Sequence, residues 1–217
     1  MPHHLSTEDF HQYAEKFTTP ESPALAALNR ETHLKVDMPV MLSGHLQGAF
    51  LTMISQMIRP KNILEIGTYT GYSAICLAQG LAANGQLHTI DINEELRDMN
   101  DKYWQQAGVA DRIVAHTGNA AEIIPALDLS FDLVFIDADK QGYAHYFDLV
   151  IDKVPVGGFM VADNVFYDGE VMLPQAAQSK NARALAAFNE KIKADPRVTQ
   201  VMVPLRDGLL LIRKERD

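Results

Sequence analysis

The chain has 217 residues, 47% apolar and 22% charged, with 19 Lys and Arg against 28 Asp and Glu for a net charge of −9. That length can bury one full core. The scattered acidic charge excludes a nucleic-acid binder, which needs a clustered cationic face; the basic residues gather only at Arg213, Lys214 and Arg216. No apolar run approaches the ~20 residues of a membrane helix, and the first ten residues lack a signal-peptide core. The single cysteine, Cys76, excludes an internal disulfide and sits in an apolar run that suits a core residue. A cytoplasmic protein is expected. No repeat or linker divides the chain, so one domain over 1–217 is expected, with helices over 1–60 and an α/β core over 61–217.

Ser6-Thr7-Glu8-Asp9 and Ser22-Pro23 have the form of helix starts, a capping hydroxyl followed by acid or proline. A third helix runs from Ser43 toward Arg59 and stops at Pro60. Its residues Leu46, Phe50, Met53, Ile54, Met57 and Ile58 share a face, predicted to cover the core or meet a partner. Short apolar runs then alternate with amphipathic stretches. The pattern predicts strands at 63–66, 87–90, 113–116, 133–136 and 158–162, and helices at 72–83, 94–106, 120–127 and 143–152. Segments 198–203 and 209–212 are separated by too few residues for a helical crossover, so they must pair antiparallel. Five βα units followed by a hairpin is the order of a Rossmann-like class I methyltransferase, an α/β fold with a seven-stranded, mostly parallel sheet. It differs from a dinucleotide domain with six parallel strands.

The first strand ends in Glu65-Ile66-Gly67-Thr68-Tyr69-Thr70-Gly71-Tyr72-Ser73. Glycine at both ends of this turn lets a ligand approach the backbone. A pyrophosphate site would use G-x-G-x-x-G; here the spacing is G-x-x-x-G, with Thr68 at the second glycine's place. The loop suits a ligand carrying adenosine and an amino acid without a diphosphate. Asp91 closes the second strand, where a carboxylate accepts ribose hydroxyls. Glu65 can receive an ammonium group, directly or through water. Gly118-Asn119-Ala120 adds a turn at the same edge, where adenine would lie. The alternative is a turn that only joins strand to helix; the placement of Asp91 favours a ligand.

The fourth strand ends in Asp137-Ala138-Asp139-Lys140 and the fifth in Asp163-Asn164. Consecutive parallel strands are often neighbours, and their C-terminal ends open onto the crevice. Asp137, Asp163 and Asn164 then offer two carboxylates and an amide oxygen to one point. Such an all-oxygen set suits Mg²⁺, Mn²⁺ or Ca²⁺ and not zinc. Acids and Asn at strand ends also cap turns, which is the alternative. Beside a bound dication the ammonium form of Lys140 is disfavoured, which suits a general base. Asp139 is expected to bind the cofactor, or to cap the helix that follows. The eight histidines show no ligand spacing and are expected to be structural or on the surface.

Together these residues resemble the cation-dependent O-methyltransferases, the group of the caffeoyl-CoA and catechol enzymes. The likeness runs from about residue 41 to 213 through EIGTYTGYSA, DIN, FIDADK, ADN and DGLLLIRK; FIDADK with ADN is its most specific part. It implies S-adenosylmethionine contacts at Ser43, Glu65, Gly67, Ser73, Asp91, Ala120 and Asp139, to which the loop position adds Thr68. It implies metal ligation by Asp137, Asp163 and Asn164, with Mg²⁺ the expected ion, and a base role for Lys140. It further implies a homodimer, N-terminal helices that shape the substrate mouth, and a phenolic or catechol-like substrate. Two departures bear on that substrate. Val165-Phe166-Tyr167-Asp168-Gly169 has Tyr for the family's usual Trp and an acid opposed to acidic substrates, and His45-Leu46-Gln47-Gly48 stands where plant enzymes read Asp-Glu-Gly-Gln. The rival readings are a metal-independent methyltransferase and a non-catalytic binder of the same cofactor.

Overall fold

A computed structural model describes residues 7–217, so the expected Ser6 cap lies outside the described residues. Helix α1 (Thr7–Phe17) leads into α2 (Pro23–Lys35), where the Ser22 hydroxyl accepts from the amide of Leu25 and Pro23 opens the first turn. The third helix, α3 (Gly44–Ile58), ends as expected before Pro60.

The apolar face of α3 is divided: Phe50, Ile54 and Ile58 pack against the core, and the rest is not packed there. Met53 and Met57 are exposed, while Gln47, Gly48, Leu51 and Ser55 are buried. The reason is close approach. A Cβ on Gly48 would lie 2.6 Å from the Tyr72 ring, and one on Gly80 would lie 2.1 Å from the Ser55 carbonyl carbon. The Ser55 hydroxyl donates to the Leu77 carbonyl at 2.6 Å. Small and polar residues therefore form the closest approach beside Leu51, and Met53 and Met57 are left outward.

The sheet comprises β1 (Asn62–Ile66), β2 (Gln86–Asp91), β3 (Ile113–Thr117), β4 (Leu133–Ile136), β5 (Phe159–Ala162), β6 (Val198–Val203) and β7 (Leu209–Lys214), in the order β3-β2-β1-β4-β5-β7-β6. The first five strands are parallel, and β7 pairs antiparallel with both β5 and β6. The intervening helices are α4 (Tyr72–Ala78), α5 (Arg97–Gln106), α6 (Ala120–Ala126), α7 (Tyr143–Val150) and α8 (Lys180–Ala194). Four run shorter than the pattern predicts: α4 stops ahead of Gly80, α5 starts three residues late, α6 ends one residue early, and the end of the 143–152 stretch tightens into a 3₁₀ turn.

Alternation along the strands supplies both cores. Leu64, Ile66, Val134 and Ile136 pack with Phe147, Val150, Leu185 and Phe188 on one face. Ile63, Leu133, Phe135 and Val161 pack with Leu77, Trp104, Leu28 and Leu51 on the other. The chain steps from β1 outward to β2 and β3, then returns to place β4 on the other side of β1. That reversal opens the crevice in which doubly wound sheets bind ligands. Among the described residues no helix is long and apolar enough to cross a membrane.

Candidate active site

At the reversal the β1–α4 loop turns through Gly67 at φ +99° and Gly71 at φ +79°. The amides of Thr68 and Tyr69 donate to Asp91 Oδ2 at 2.9 and 2.8 Å, and the Asn93 amide donates to Oδ1 at 2.9 Å. Asp91 thus ties the loop to the end of β2, and Oδ1, which accepts a single amide, keeps a lone pair for a ligand. The Thr68 and Thr89 hydroxyls lie 2.5 Å apart, and Thr89 donates to Glu65 Oε2 at 2.6 Å.

Glu65 is fully buried, and its Oε1 has no partner. Burial pushes its carboxyl up to about 8, against the lowering effect of hydrogen bonds from Ser73 and Thr89. An orphaned buried oxygen behind a glycine loop fits a ligand with a positive amino group.

A cavity of about 1540 Å³ opens here. Of the residues expected to hold cofactor, Ser43, Gly67, Thr68, Ser73, Asp91, Ala120 and Asp139 line it. Glu65 lies behind the wall. Asp139 accepts from the Tyr146 hydroxyl at 2.5 Å. No histidine of the described residues lines the cavity; His88 and His116 bond each other at 3.1 Å across β2 and β3.

The second group of residues meets at the ends of β4 and β5, which pair Ile136 with Ala162. Asp137, Asp163 and Asn164 all line the same cavity. The Lys140 ammonium donates to Asp137 Oδ1 at 2.9 Å, Asn164 Oδ1 at 2.7 Å and the Tyr143 hydroxyl at 2.8 Å. Asp163 is 2% exposed. Burial and the nearby Asp137 raise its pKa, against hydrogen bonds donated by Gln47 and the Asn164 amide and the nearby charge of Lys140. Among the described residues no group of three or more His, Cys, Asp or Glu is arranged to hold a metal. The donors present are two carboxylates and an amide oxygen, a hard set that fits Mg²⁺ or a similar cation.

Three contributors carried no signal of their own in the sequence. Gln47 donates to Asp163 Oδ2 at 2.7 Å from 116 residues away, Tyr143 receives the Lys140 ammonium, and Asp207 meets Asn164 from the β6–β7 turn. Asp207 lies in the quoted run DGLLLIRK, but nothing local to that run points to Asn164.

Five parallel strands with an antiparallel hairpin, a glycine loop after β1 and acids after β4 and β5 define a class I methyltransferase. A sequence model described as O-methyltransferase matches residues 15–215. The chain belongs to that O-methyltransferase family, whose members are S-adenosylmethionine-dependent enzymes. A caffeoyl-CoA O-methyltransferase of Eucalyptus gunnii is 35% identical over 97% of this chain and 89% of its own length. A probable caffeoyl-CoA O-methyltransferase of Dictyostelium discoideum is 32% identical over 84% and 82%. Among solved structures, a Podospora anserina methyltransferase bound to S-adenosylhomocysteine superposes with a TM-score of 0.88 at 28% identity, covering 99% of this chain and 98% of that one. A Streptomyces achromogenes O-methyltransferase involved in tomaymycin synthesis, in complex with S-adenosylmethionine, gives 0.87 at 29% identity, covering 94% and 95%.

Proposed function

We propose that this enzyme methylates a hydroxyl of a vicinal-diol or catechol-like small molecule, with a divalent cation held by Asp137, Asp163 and Asn164 and with Lys140 as the base. One observation carries the reading: Lys140 Nζ lies within hydrogen-bond distance of both Asp137 and Asn164, in the cavity that the glycine loop also lines. When bound, S-adenosylmethionine supplies an electrophilic methyl group, and Mg²⁺, or else Mn²⁺ or Ca²⁺, supplies Lewis-acid polarisation of adjacent hydroxyls.

The protein's own groups do the rest. Gly67 and Thr68 admit the donor to the backbone, Asp91 receives its ribose, and Glu65 draws its ammonium toward Ser73. Ser43, Ala120 and Asp139 complete the wall. With the cation bound, Lys140 in its neutral amine form would take the hydroxyl proton at Nζ, and Asp137, Asn164 and Tyr143 would hold the resulting ammonium. Met38, Val40 and Met41 give the cavity an apolar lip suited to a phenolic ring, and the caffeoyl-CoA relatives support a phenolic acceptor.

The proposal includes one domain, a cytoplasmic location and a homodimer. The exposed Met53 and Met57 of α3 and Phe10, Tyr13 and Phe17 of α1 support the last; the lone buried Cys76 suits a reducing compartment.

The direct test is S-adenosylhomocysteine formation from caffeic acid with Mg²⁺, then with EDTA. Turnover that EDTA removes is expected. Turnover indifferent to EDTA would return Asp137, Asp163 and Asn164 to a structural role.

Glu65→Gln tests the cofactor end. It removes a charged partner for the ammonium, a change of about 2 kcal/mol or roughly thirtyfold in affinity, to be read by calorimetry with S-adenosylhomocysteine. The same residue sets a pH dependence. The unfolded chain releases this proton near 4.5 and the folded one near 8, so the unfolded state holds fewer protons between those values. Stability of the ligand-free enzyme therefore falls as pH rises through that window. Glu65→Gln should flatten the slope in melting curves; an unchanged slope would assign it elsewhere.

A further inference from the structure

We propose that the turn of the β6–β7 hairpin orients the metal donors, acting on Asp163 through Gln47 and on Asn164 directly, so that Gln47, Arg206 and Asp207 are positioning residues. The inference rests on the cation reading above and concerns which of the chain's own residues hold the donors in place.

Two relays leave this turn. In the first, Arg206 donates through Nη1 to the Ser43 carbonyl at 2.5 Å and to Gln47 Oε1 at 3.3 Å. Gln47 in turn donates through Nε2 to Asp163 Oδ2 at 2.7 Å. Gln47 and Asp163 are both buried, so neither can turn to water for a partner. A guanidinium offers only donors and a carboxylate only acceptors. One orientation of the Gln47 amide satisfies both neighbours, and it fixes the carboxylate rotamer of Asp163.

In the second relay, Asp207 Oδ1 accepts from the Asp168 amide at 2.7 Å and Oδ2 faces Asn164 Nδ2 at 3.4 Å. That contact turns the Asn164 amide so that Oδ1 points toward Lys140 and the proposed cation. Asp207 and Lys140 thus hold the amide from both ends, Lys140 at Oδ1 and Asp207 at Nδ2, and a nitrogen carrying two hydrogens cannot ligate. The hairpin, which in the sequence marks only the class of fold, thereby reaches both donors at the end of β5. Partners of this kind around metal ligands are worth roughly 10- to 100-fold in metal affinity.

Two conservative variants test the two relays. Gln47→Leu removes the donor to Asp163 at similar size. Asp207→Asn keeps the shape and retains an oxygen for the Asp168 amide, but sets its own amide nitrogen against Asn164 Nδ2 and so removes that end of the amide's support. Mn²⁺ affinity is measured by electron paramagnetic resonance titration, S-adenosylhomocysteine affinity by calorimetry, and folding by melting temperature. The expected result is a roughly 10- to 100-fold loss of Mn²⁺ affinity in each variant, with S-adenosylhomocysteine affinity held within about twofold. Mn²⁺ binding equal to that of the unsubstituted enzyme would overturn the inference. So would a parallel fall in Mn²⁺ affinity, S-adenosylhomocysteine affinity and melting temperature, which is the signature of a merely structural role. Failure of the unsubstituted enzyme to bind Mn²⁺ would remove the cation reading itself, and the inference with it; that outcome is distinguishable because it appears before any substitution.

Discussion

Asp163→Ala is expected to lower methyl transfer to a catechol by at least about a thousandfold while S-adenosylhomocysteine still binds. The proposed cation contributes several kcal/mol of charge stabilisation, and about 4 kcal/mol corresponds to a factor near 1000 in rate. Asp163 stands at the end of β5, across the sheet from the β1–α4 loop and separated from it by β4, so the cofactor contacts stay in place. Truncation also strands the buried Gln47 Nε2, which costs about 1–3 kcal/mol of stability. Asp163→Asn controls for this, because it keeps an oxygen for Gln47 while removing the charge. Both variants should lose activity, and Asp163→Asn should melt closer to the unsubstituted enzyme. Full turnover of Asp163→Ala in the presence of a chelator would sink the metal role.

Gly67→Ala is expected to be the most disruptive single methyl group in the loop. The residue stands at φ +99°, and its Cβ would lie 1.9 Å from the Asp137 carbonyl oxygen. That oxygen belongs to backbone at the end of β4, so no side chain can swing away to make room. Strain at this φ costs about 1–3 kcal/mol, and overpacking adds a similar amount. For a chain of this size a total of about 4 kcal/mol corresponds to roughly 10 °C in melting temperature. The expected reading is a melting point lower by at least that much, with S-adenosylhomocysteine affinity falling further as the Gly67 and Thr68 backbone shifts. A variant that melts and binds like the unsubstituted enzyme would show that the end of β4 yields more readily than its packing implies.

Much of this architecture is written locally. The run Leu133-Val134-Phe135-Ile136 is a strand because it is short, apolar and bounded by acids, and β4 has those limits. The brief connection between β6 and β7 dictates an antiparallel pair, since no helix fits within it. Gly67, Gly71 and Asp91 announce a ligand loop through spacing alone. The clusters after β4 and β5 announce a hard-oxygen site through residue type. The readings of the fold succeed because backbone geometry is a property of neighbouring residues, and the proposed ligand and cation sites rest on donor chemistry that is equally local.

Other features depended on contacts between distant segments. The apolar period of α3 left open whether its face covers the core or meets a partner. Phe50, Ile54 and Ile58 pack on the core while Met53 and Met57 stay outward, and Gly48 and Ser55 make the closest approach, to Tyr72 and Gly80. Glu65 reads as a receiver of an ammonium group, but only its full burial in the fold leaves an oxygen unpartnered and its proton held to about pH 8. The sequence by itself determined the class of fold, and it supplied the residue types on which the proposed cofactor loop and cation site rest. The tertiary structure decided which oxygens face one another and what orients them, as Gln47 does for Asp163 and Asp207 for Asn164. The physical reason is that periodicity and spacing encode the conformation of a segment, whereas hydrogen-bond partners across the sheet exist only once strand order has set which ends are adjacent.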